Sequence, residues 1–434
     1  MARGLQPLRH RGFRRLVGGQ VASNLGDACY AVALPWYVLA HHGGPVLLAT
    51  VLAAYGVPRT ALVAVGGAAA DRWRPWTVML LADAFRAATV GALAVAAWSG
   101  PPRAAVLVPI AVVLGAGEGL FLPASLAVIP RLLPEADLQA GNALGSAGTQ
   151  LATLVGPAVG GVVVALAGPA VAFVADGASF VVSAVSLAGV RRAQRAVAAV
   201  APDASRDAVV PDAPAADPAR PAAAEVATLR RLLRREPVLW VILVTTLVAN
   251  LGSGGMAEVA LPALAHGPLR AGAGGYGALV AAFGGGALLG TLATAQVRRP
   301  SRPGVLASVV FLAEAGVQAV VPFAGGLSAV AVAIALAGFV NGFGNVLVLT
   351  AVQAWAPAAL LGRLMGVVML ASFGVFPVSV LFGGAVTHAL GPAAFFPIAA
   401  VPLGVAMLGA LALRRWREWE PGTASVAEPL PAAG

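Results

Sequence analysis

The sequence predicts an all-α integral membrane protein with twelve transmembrane helices, and two observations lead to this fold class. Hydrophobic residues make up 59% of the 434-residue chain and charged residues only 11%, whereas soluble domains carry about 25% charged residues. Apolar runs of the roughly 20 residues that a bilayer requires recur between short Gly/Pro-rich connectors. Because lipid offers the backbone no hydrogen-bond partner, each run is predicted to be helical.

Twelve such runs can be placed along the chain. The first follows Arg14 and Arg15 and continues to Ala40, which suits a membrane span better than the apolar core of a cleaved signal peptide. The predicted spans cover roughly 16–40, 46–70, 75–99, 104–129, 139–166, 169–190, 237–262, 274–296, 303–323, 327–352, 363–387 and 392–413.

The arginines predict the orientation. All 28 basic residues are arginine, and with the N-terminus inside, 24 of them fall in or beside cytoplasmic segments. This is the positive-inside pattern, so we expect a multi-pass protein of the plasma (inner) membrane with both termini in the cytoplasm. The same pattern accounts for the net charge of +10, and no nucleic-acid partner is expected.

Residues 191–236 differ from the rest of the chain, because they are rich in proline, alanine, aspartate and arginine. We predict a largely disordered cytoplasmic linker that ends in a short basic amphipathic helix at 229–235. The linker separates a six-helix bundle at 1–190 from another at 237–415, and a cytoplasmic tail follows at 416–434. Two such halves indicate a transporter built from repeats, with its site between them.

Short motifs over nearly the whole chain resemble the major facilitator superfamily, in its enterobactin-exporter-like and macrolide-efflux-like branch. Residues 13–27 resemble that branch's first helix, and residues 66–74 (Gly-Gly-Ala-Ala-Ala-Asp-Arg-Trp-Arg) resemble the superfamily's G-x-x-x-D-R-x-x-R loop, with the final arginine displaced by one. Residues 156–161 (Gly-Pro-x-x-Gly-Gly) resemble the antiporter motif of the fifth helix, although Ala152 stands at its leading glycine. The resemblance implies the two-bundle fold, a monomer, and transport of a small molecule.

Two groups of residues are candidates for gating. Asp71, with Gly67, Arg72 and Arg74, caps a helix or, as the resemblance implies, latches onto the N-terminus of helix eleven near 361–363. The antiporter motif has two compatible readings, because its small residues allow close helix packing, and in the family this surface seals the cavity of exporters. Its residues are Gly156, Pro157, Gly160 and Gly161.

Ionisable residues at membrane depth are functional candidates by default. Asp27 and Glu118 lie near the midplane on helices one and four, which line the cavity in the superfamily, and Arg59 lies on helix two. We expect Arg59 to pair with one acid while the other carries a coupling proton. Glu118 is the preferred carrier and Asp27 the preferred partner. The alternative is a single fixed, neutralised network of all three.

Polar residues within spans suggest a substrate lining, although such residues also hold helices together. The candidates are Asn24, Asn250, Glu258 near the outer end of helix seven, Asn341 and Asn345. Four other charged residues within spans are interpreted as structural. Glu314 is expected to face helix packing or lipid, and Asp176 is expected to have a structural role. Asp83 and Arg86 are expected to form an ion pair within one helix.

The predicted function is export of an amphipathic drug or secondary metabolite by proton antiport. The predicted partners are the small-molecule substrate, protons and the lipid bilayer. No nucleotide-binding motif, metal-ligand pattern or catalytic constellation occurs in the sequence, so no cofactor, metal or enzymatic activity is expected. One alternative is export of a siderophore or another native metabolite. An alternative of another class is a non-transporting membrane receptor or sensor with the same fold.

Overall fold

Twelve long helices make up the part of the chain that the computed structural model describes, residues 3–200, 237–294, 296, 300–355 and 358–419. The seventh, Pro237–His266, contains a π-helical turn at Met256–Ala260. The helices are α1 Arg11–Ala40, α2 Gly44–Arg72, α3 Pro75–Ser99, α4 Ala104–Val128, α5 Glu135–Ala167, α6 Pro169–Val200, α7 Pro237–His266, α8 Gly272–Thr294, α9 Pro303–Val320, α10 Leu327–Trp355, α11 Ala358–Leu390 and α12 Pro392–Ala412.

Eleven of these helices are long and apolar enough to span a bilayer, and α1 is the exception. α1 carries Gln20, Ser23, Asn24 and Asp27 around its middle, and these side chains lower its hydropathy. The all-helical membrane fold is confirmed. The helix with the most polar membrane segment is also one that lines a cavity, as described below.

Proline and glycine mark the helix ends, as the connectors in the sequence indicate. Pro75, Pro303 and Pro392 occupy the first turn of their helices, where the missing N–H would have no intrahelical acceptor. Gly168 and Gly391 follow the ends of α5 and α11 with φ of 83° and 88°, a left-handed conformation that glycine adopts without steric cost.

The helices form an N-terminal half, α1–α6, and a C-terminal half, α7–α12. Within the first, α1 and α3 pack on α6 and α2 packs on α4; within the second, α8 and α9 pack on α10 and α9 packs on α12. The halves meet where α2 packs on α11, α5 on α8, and α1 on α7. We call the side with the helix ends at 72–75 and 355–358 the terminal side, and the side with the connectors at 40–44 and 390–392 the loop side.

Close contacts join the two halves from the loop side towards the middle of the helices. A Cβ on Gly161 of α5 would lie 3.0 Å from Gly277 Cα of α8, and one on Gly384 of α11 would collide with Ala49 of α2. On α1, the Trp36 ring meets His266 of α7 edge-on at 5.2 Å between centroids. Small residues therefore bring the backbones of the two halves together on this side.

The predicted disordered linker, with its basic amphipathic helix, and the predicted cytoplasmic tail remain predictions. α6 continues to Val200, ten residues beyond the predicted end of the first bundle. The rest of the predicted linker, with its amphipathic helix at 229–235, and the tail beyond residue 419 lie outside the described residues.

We expect Gly161→Leu to destabilise the protein by about 1–3 kcal/mol, the usual effect of overpacking a close contact. Thermal unfolding in detergent measures this as a lower Tm. Gly145→Leu on the same helix is the matched control, because a Cβ there meets no atom within 4 Å. Equal Tm values for the two variants would contradict the close approach of α5 and α8.

Candidate functional site

A cavity of about 950 Å³ lies in the N-terminal half, between α1, α3, α4 and α5. It reaches the terminal side at Ile129 and Pro130, beyond the end of α4. Its polar lining includes Gln20, Ser23, Asn24, Asp27, Arg86, Glu118, Ser125, Asn142, Ser146, Thr149 and Gln150. We call it the N-half cavity.

An ion pair between α1 and α3 forms part of this lining. Arg86 Nη2 donates to Asp27 Oδ1 at 2.8 Å. The Arg86 side chain is almost fully buried, with its guanidinium over the Phe180 ring at 4.0 Å from the centroid, whereas the Asp27 side chain is 40% exposed. Asp27 therefore presents its carboxylate to the cavity. The buried Arg86 guanidinium neutralises this carboxylate from the side that faces the interior of the bundle.

A second ion pair joins α2 and α4. Arg59 Nη2 lies 3.1 Å from Glu118 Oε1, and both side chains are about four-fifths buried. Arg59 also lies over the ring of Phe373 on α11, 4.9 Å from its centroid, and the neighbouring Thr60 hydroxyl donates to the Phe373 carbonyl at 3.1 Å. This pair therefore stands at the contact between the two halves.

The structure corrects the predicted pairing. Asp27 was the preferred partner of Arg59, but Glu118 holds that position and Asp27 pairs with Arg86. The predicted pair within α3 is also weaker than expected, because Arg86 Nη1 is 4.0 Å from Asp83 Oδ1 and the hydrogen bond goes to α1. The three-residue spacing of Asp83 and Arg86 is a local pattern, whereas the partner on α1 depends on how the helices are rotated in the bundle.

Two more carboxylates are buried behind the Asp27–Arg86 pair. Asp83 on α3 and Asp176 on α6 are 0% and 1% exposed, and Asp176 Oδ1 has no hydrogen-bond partner. Asp176 Oδ1 packs against α1 at Gly26, where a Cβ would lie 2.7 Å from it. Sequence reasoning missed the role of Arg86 in this group, although an arginine at membrane depth was the signal that could have found it.

A second cavity, of about 430 Å³, lies in the C-terminal half between α7 and α10. We call it the C-half cavity. Its walls are mostly apolar, and it reaches the terminal side at Val352 and at the buried Trp416 beyond α12. The predicted lining residues Asn250, Asn341 and Asn345 all face it, together with Ser253, Thr245 and Thr246.

A hydrogen-bonded chain leads from this cavity into the bundle. Asn345 Nδ2 donates to Asn341 Oδ1 at 3.0 Å, and Asn341 Nδ2 donates to Glu314 Oε1 at 2.9 Å. Glu314 is buried on α9, and its Oε2 has no hydrogen-bond partner. Glu314 therefore faces the packing between α9 and α10, one of the two surroundings expected for it, and it reaches the cavity wall through Asn341.

The other predicted lining residues are separated in space. Asn24 faces the N-half cavity, and its Nδ2 donates to Thr149 Oγ1 of α5 at 3.1 Å. Glu258 lies in the π-helical turn of α7, in the last third of the helix, and borders a small cavity of about 70 Å³ with Val32 and Tyr276. The five candidates thus line three different cavities.

The gating candidates are only partly described. Arg72 and Arg74 are exposed on the terminal side, whereas the side chains of Gly67, Asp71 and 361–363 lie outside the described residues. The antiporter motif is fully described. Gly156 and Gly160 pack on α1 at Ala28 and Cys29, and Pro157 and Gly161 contact α8 at Gly277.

Among the described residues, no three histidine, cysteine, aspartate or glutamate side chains are grouped so that they could hold a metal ion. The polar groups of both cavities are instead carboxylates held by arginines, and amides and hydroxyls on apolar walls. Such surfaces can bind and orient an organic molecule.

Known structures share this arrangement of helices. A peptide transporter POT solved in complex with sulfate superposes with a TM-score of 0.64 at 15% identity, over 95% of this chain and 96% of that one. A bacterial metal transporter superposes with a TM-score of 0.63 at 16% identity, over 92% of this chain and 97% of that one. At such identities the likeness establishes the fold alone.

Comparison of the sequence with protein families establishes more than the fold. The family model described as "Transmembrane secretion effector" matches residues 2–432. The chain belongs to this family of transmembrane secretion effectors. The predicted membership in the major facilitator superfamily is confirmed, and the protein is a membrane transporter of small molecules rather than an enzyme.

Several relatives of this secretion effector are multidrug efflux pumps by name. The multidrug efflux pump Tap of Mycolicibacterium fortuitum is 27% identical over 409 residues, which are 92% of this chain and 94% of that protein. Tap of Mycobacterium tuberculosis (strain ATCC 25618 / H37Rv) is 35% identical over 149 residues, 33% of this chain and 35% of that protein. An uncharacterized MFS-type transporter, YfiS of Bacillus subtilis, is 28% identical over 180 residues, 41% of this chain and 42% of that protein.

A double-mutant cycle tests the pairing of Arg59. We expect Arg59→Gln and Glu118→Gln each to cost about 1–3 kcal/mol, because each leaves a largely buried charge without its partner. Their double variant should lose less than the sum, with a coupling of about 0.5–3 kcal/mol in thermal unfolding.

The control cycle combines Arg59→Gln with Asp27→Asn, the pair that the sequence favoured. The losses of stability caused by these two substitutions should add. If the control cycle showed strong coupling and the first cycle were additive, Arg59 would instead be paired with Asp27.

Proposed function

We propose that this transporter exports small amphipathic organic compounds from the cytoplasm in exchange for protons, as a monomer in the plasma membrane. The observation that carries the proposal is that Asp27 is exposed in the N-half cavity, while the cavity of the other half is mostly apolar. The relatives named as multidrug efflux pumps support the same function.

The direction of export follows from the proposed orientation. The arginines that flank the helices concentrate on the terminal side, which we assign to the cytoplasm by the positive-inside rule. Both cavities reach this side, at Pro130 and at Val352, while glycine-mediated contacts join the halves on the loop side. The conformation is therefore one in which a cytoplasmic compound can enter.

The two cavities divide the recognition of the substrate. The apolar walls of the C-half cavity suit a hydrophobic body, whose burial is favourable by about 25 cal/mol per Å². Asn250, Asn341 and Asn345 supply the few polar groups that orient a ligand in such a cavity. Asp27 and Glu118 place carboxylates in the lining of the N-half cavity, so we assign the substrate a cationic or hydrogen-bond-donating group that faces the N-terminal half.

Competition for the carboxylates couples export to protons. Asp27 and Glu118 are each neutralised by an arginine in this conformation, and either a proton or a cationic substrate can replace that arginine. One charge moved through 100 mV supplies about 2.3 kcal/mol, enough to drive a substantial concentration ratio. We keep Asp27, Glu118 and Arg59 as the coupling group and add Arg86 to it.

Two regions serve as gates in this proposal. The antiporter motif at 156–161 closes the loop side against α1 and α8, so that protons and substrate do not leak through. Asp71 of the motif at 66–74 latches the terminal side in the opposite conformation, through the N-terminus of α11 and its helix dipole. Gly67, Arg72 and Arg74 belong to this latch.

Transport in inside-out vesicles tests the antiport. Adding a lipophilic cation, a macrolide or a siderophore to vesicles with an acidic lumen should release protons for compounds that are substrates. We expect Asp27→Asn to abolish this release and Glu118→Gln to weaken it, because Asp27 is the more exposed acid. Glu135→Gln, at an exposed position on the terminal side, is the control and should behave as the unmodified protein does.

Each result decides between the functions. Proton release by siderophores alone would assign a native-metabolite exporter. If no compound moves protons although the protein is folded and inserted, the antiport proposal is wrong, and an uncoupled facilitator or a receptor with this fold takes its place.

Filling the C-half cavity tests its role in recognition. Ala249→Phe places a ring among the cavity residues and should reduce transport of bulky substrates by about tenfold or more, corresponding to a loss of about 1.4 kcal/mol of binding. Val332→Phe, on the exposed surface of α10, is the matched control. Unchanged transport by Ala249→Phe would place the substrate elsewhere.

A further inference from the structure

Three carboxylates surround one arginine in the N-terminal half. Arg86 and Asp83 lie on α3, Asp27 on α1 and Asp176 on α6, and all but Asp27 are almost completely buried. If all three acids were ionised, the group would hold a net charge of −2 at membrane depth, where an uncompensated charge costs several kcal/mol. The arrangement therefore requires that some of these acids hold protons.

The Arg86 guanidinium lies between two of these acids. Its Nη2 donates to Asp27 Oδ1 at 2.8 Å, and its Nη1 is 4.0 Å from Asp83 Oδ1. The Arg86 guanidinium carbon lies 4.0 Å from the centroid of the Phe180 ring and 5.9 Å from the centroid of the Phe121 ring. A shift of about 1 Å along these rings would bring Nη1 within the usual hydrogen-bond distance of Asp83.

Asp83 is the acid whose environment depends most directly on Arg86. It is 0% exposed, and the polar group that faces it from α6 is the neutral Ser183 hydroxyl. While Arg86 is engaged by Asp27, an ionised Asp83 would lack both solvation and a close counter-ion, and burial then favours the neutral acid. Asp83 is thus the acid that loses a proton if Arg86 moves towards it.

The other charged and titratable groups around Asp83 do not take this role. Arg59 on α2 is paired with Glu118 on α4. Asp176 on α6 and Tyr30 on α1 interact electrostatically with Asp27 and Arg86, but no ion pair with Arg86 within 4.0 Å is formed by either among the described residues. On α6, the Ser183 hydroxyl faces Asp83 and is neutral.

We propose that Asp83 stores the coupling proton and that Arg86 is a mobile counter-ion that relays the charge of a cationic substrate to it. In the state shown, ionised Asp27 pairs with Arg86 and Asp83 is protonated. When a substrate cation takes Asp27, Arg86 moves to Asp83, the Asp83 O–H bond breaks, and its proton leaves to water. One positive charge enters and one leaves, so the net charge of the group is conserved.

This inference rests on the proposed function and refines it: the proton that is exchanged leaves Asp83, which does not touch the substrate, rather than Asp27 or Glu118. Asp83 and Arg86 act as positioning residues in this scheme. The substrate contacts Asp27, while the proton leaves from the next layer of the bundle. A purely structural role for Asp83 would not connect its protonation to occupancy of the cavity.

The test measures binding of tetraphenylphosphonium to the purified full-length protein in detergent, between pH 5 and 9, with a pH dye in weak buffer to count protons. Release of one proton per cation requires that the apparent Kd fall by about tenfold per pH unit below the midpoint of release. In Asp83→Asn we expect this slope to vanish, no proton to be released, and the cation to bind more weakly at high pH, since Arg86 has no acid to receive it.

Two further variants keep the result decisive. Asp176→Asn, matched in burial and in the same group, should keep the slope and the proton count. Asp83→Glu should keep proton release with a shifted midpoint, and it serves if Asp83→Asn does not fold. A full slope in Asp83→Asn, an unshifted midpoint in Asp83→Glu, or loss of release in Asp176→Asn would overturn the proposal. Failure of the unmodified protein to bind or transport any cation would instead contradict the proposed function.

Discussion

Lipid gives a polar group no partner, and this constraint governs the whole molecule. The backbone satisfies itself by forming helices, and the few charges at membrane depth are stable only where another side chain neutralises them. Within the long helices of the described residues, Arg86 with Asp27 and Arg59 with Glu118 are the ion pairs in which an arginine reaches an acid on another helix. These pairs link α1 to α3 and α2 to α4, so the electrostatics of the site also contribute to the packing of the N-terminal half.

The two halves differ in chemistry although each contributes six helices. Charge is concentrated on the inner surface of the N-terminal half, while the C-half cavity has apolar walls with amide and hydroxyl groups. Glu314, a buried acid behind that cavity wall, is reached through Asn341. Such a division suits a transporter that must bind compounds of varied shape, because apolar walls tolerate variation while a fixed carboxylate supplies the common electrostatic contact.

Small residues allow the halves to meet and also to separate. The contact of Gly161 with Gly277 is made through backbone atoms on the loop side, and no ion pair within 4.0 Å joins the halves across the described part of this surface. Arg59 meets α11 through the ring of Phe373 rather than through a charge. Contacts of this kind are lost without leaving a charge unpaired, which suits a surface that opens in each transport cycle.

By itself the sequence determined the membrane fold, the number of helices and the presence of acids and arginines at membrane depth, because these depend on composition and on the length of apolar runs. The family resemblance rested on local motifs, and it too was legible in the sequence. What only the tertiary structure decided is which charges meet. Asp27 is 59 residues from its partner Arg86, and Asn341 is 27 from Glu314. Helices that are apolar on nearly every side carry little local signal of their rotation, so the faces that turn inward, and the partners found there, are set by packing between helices.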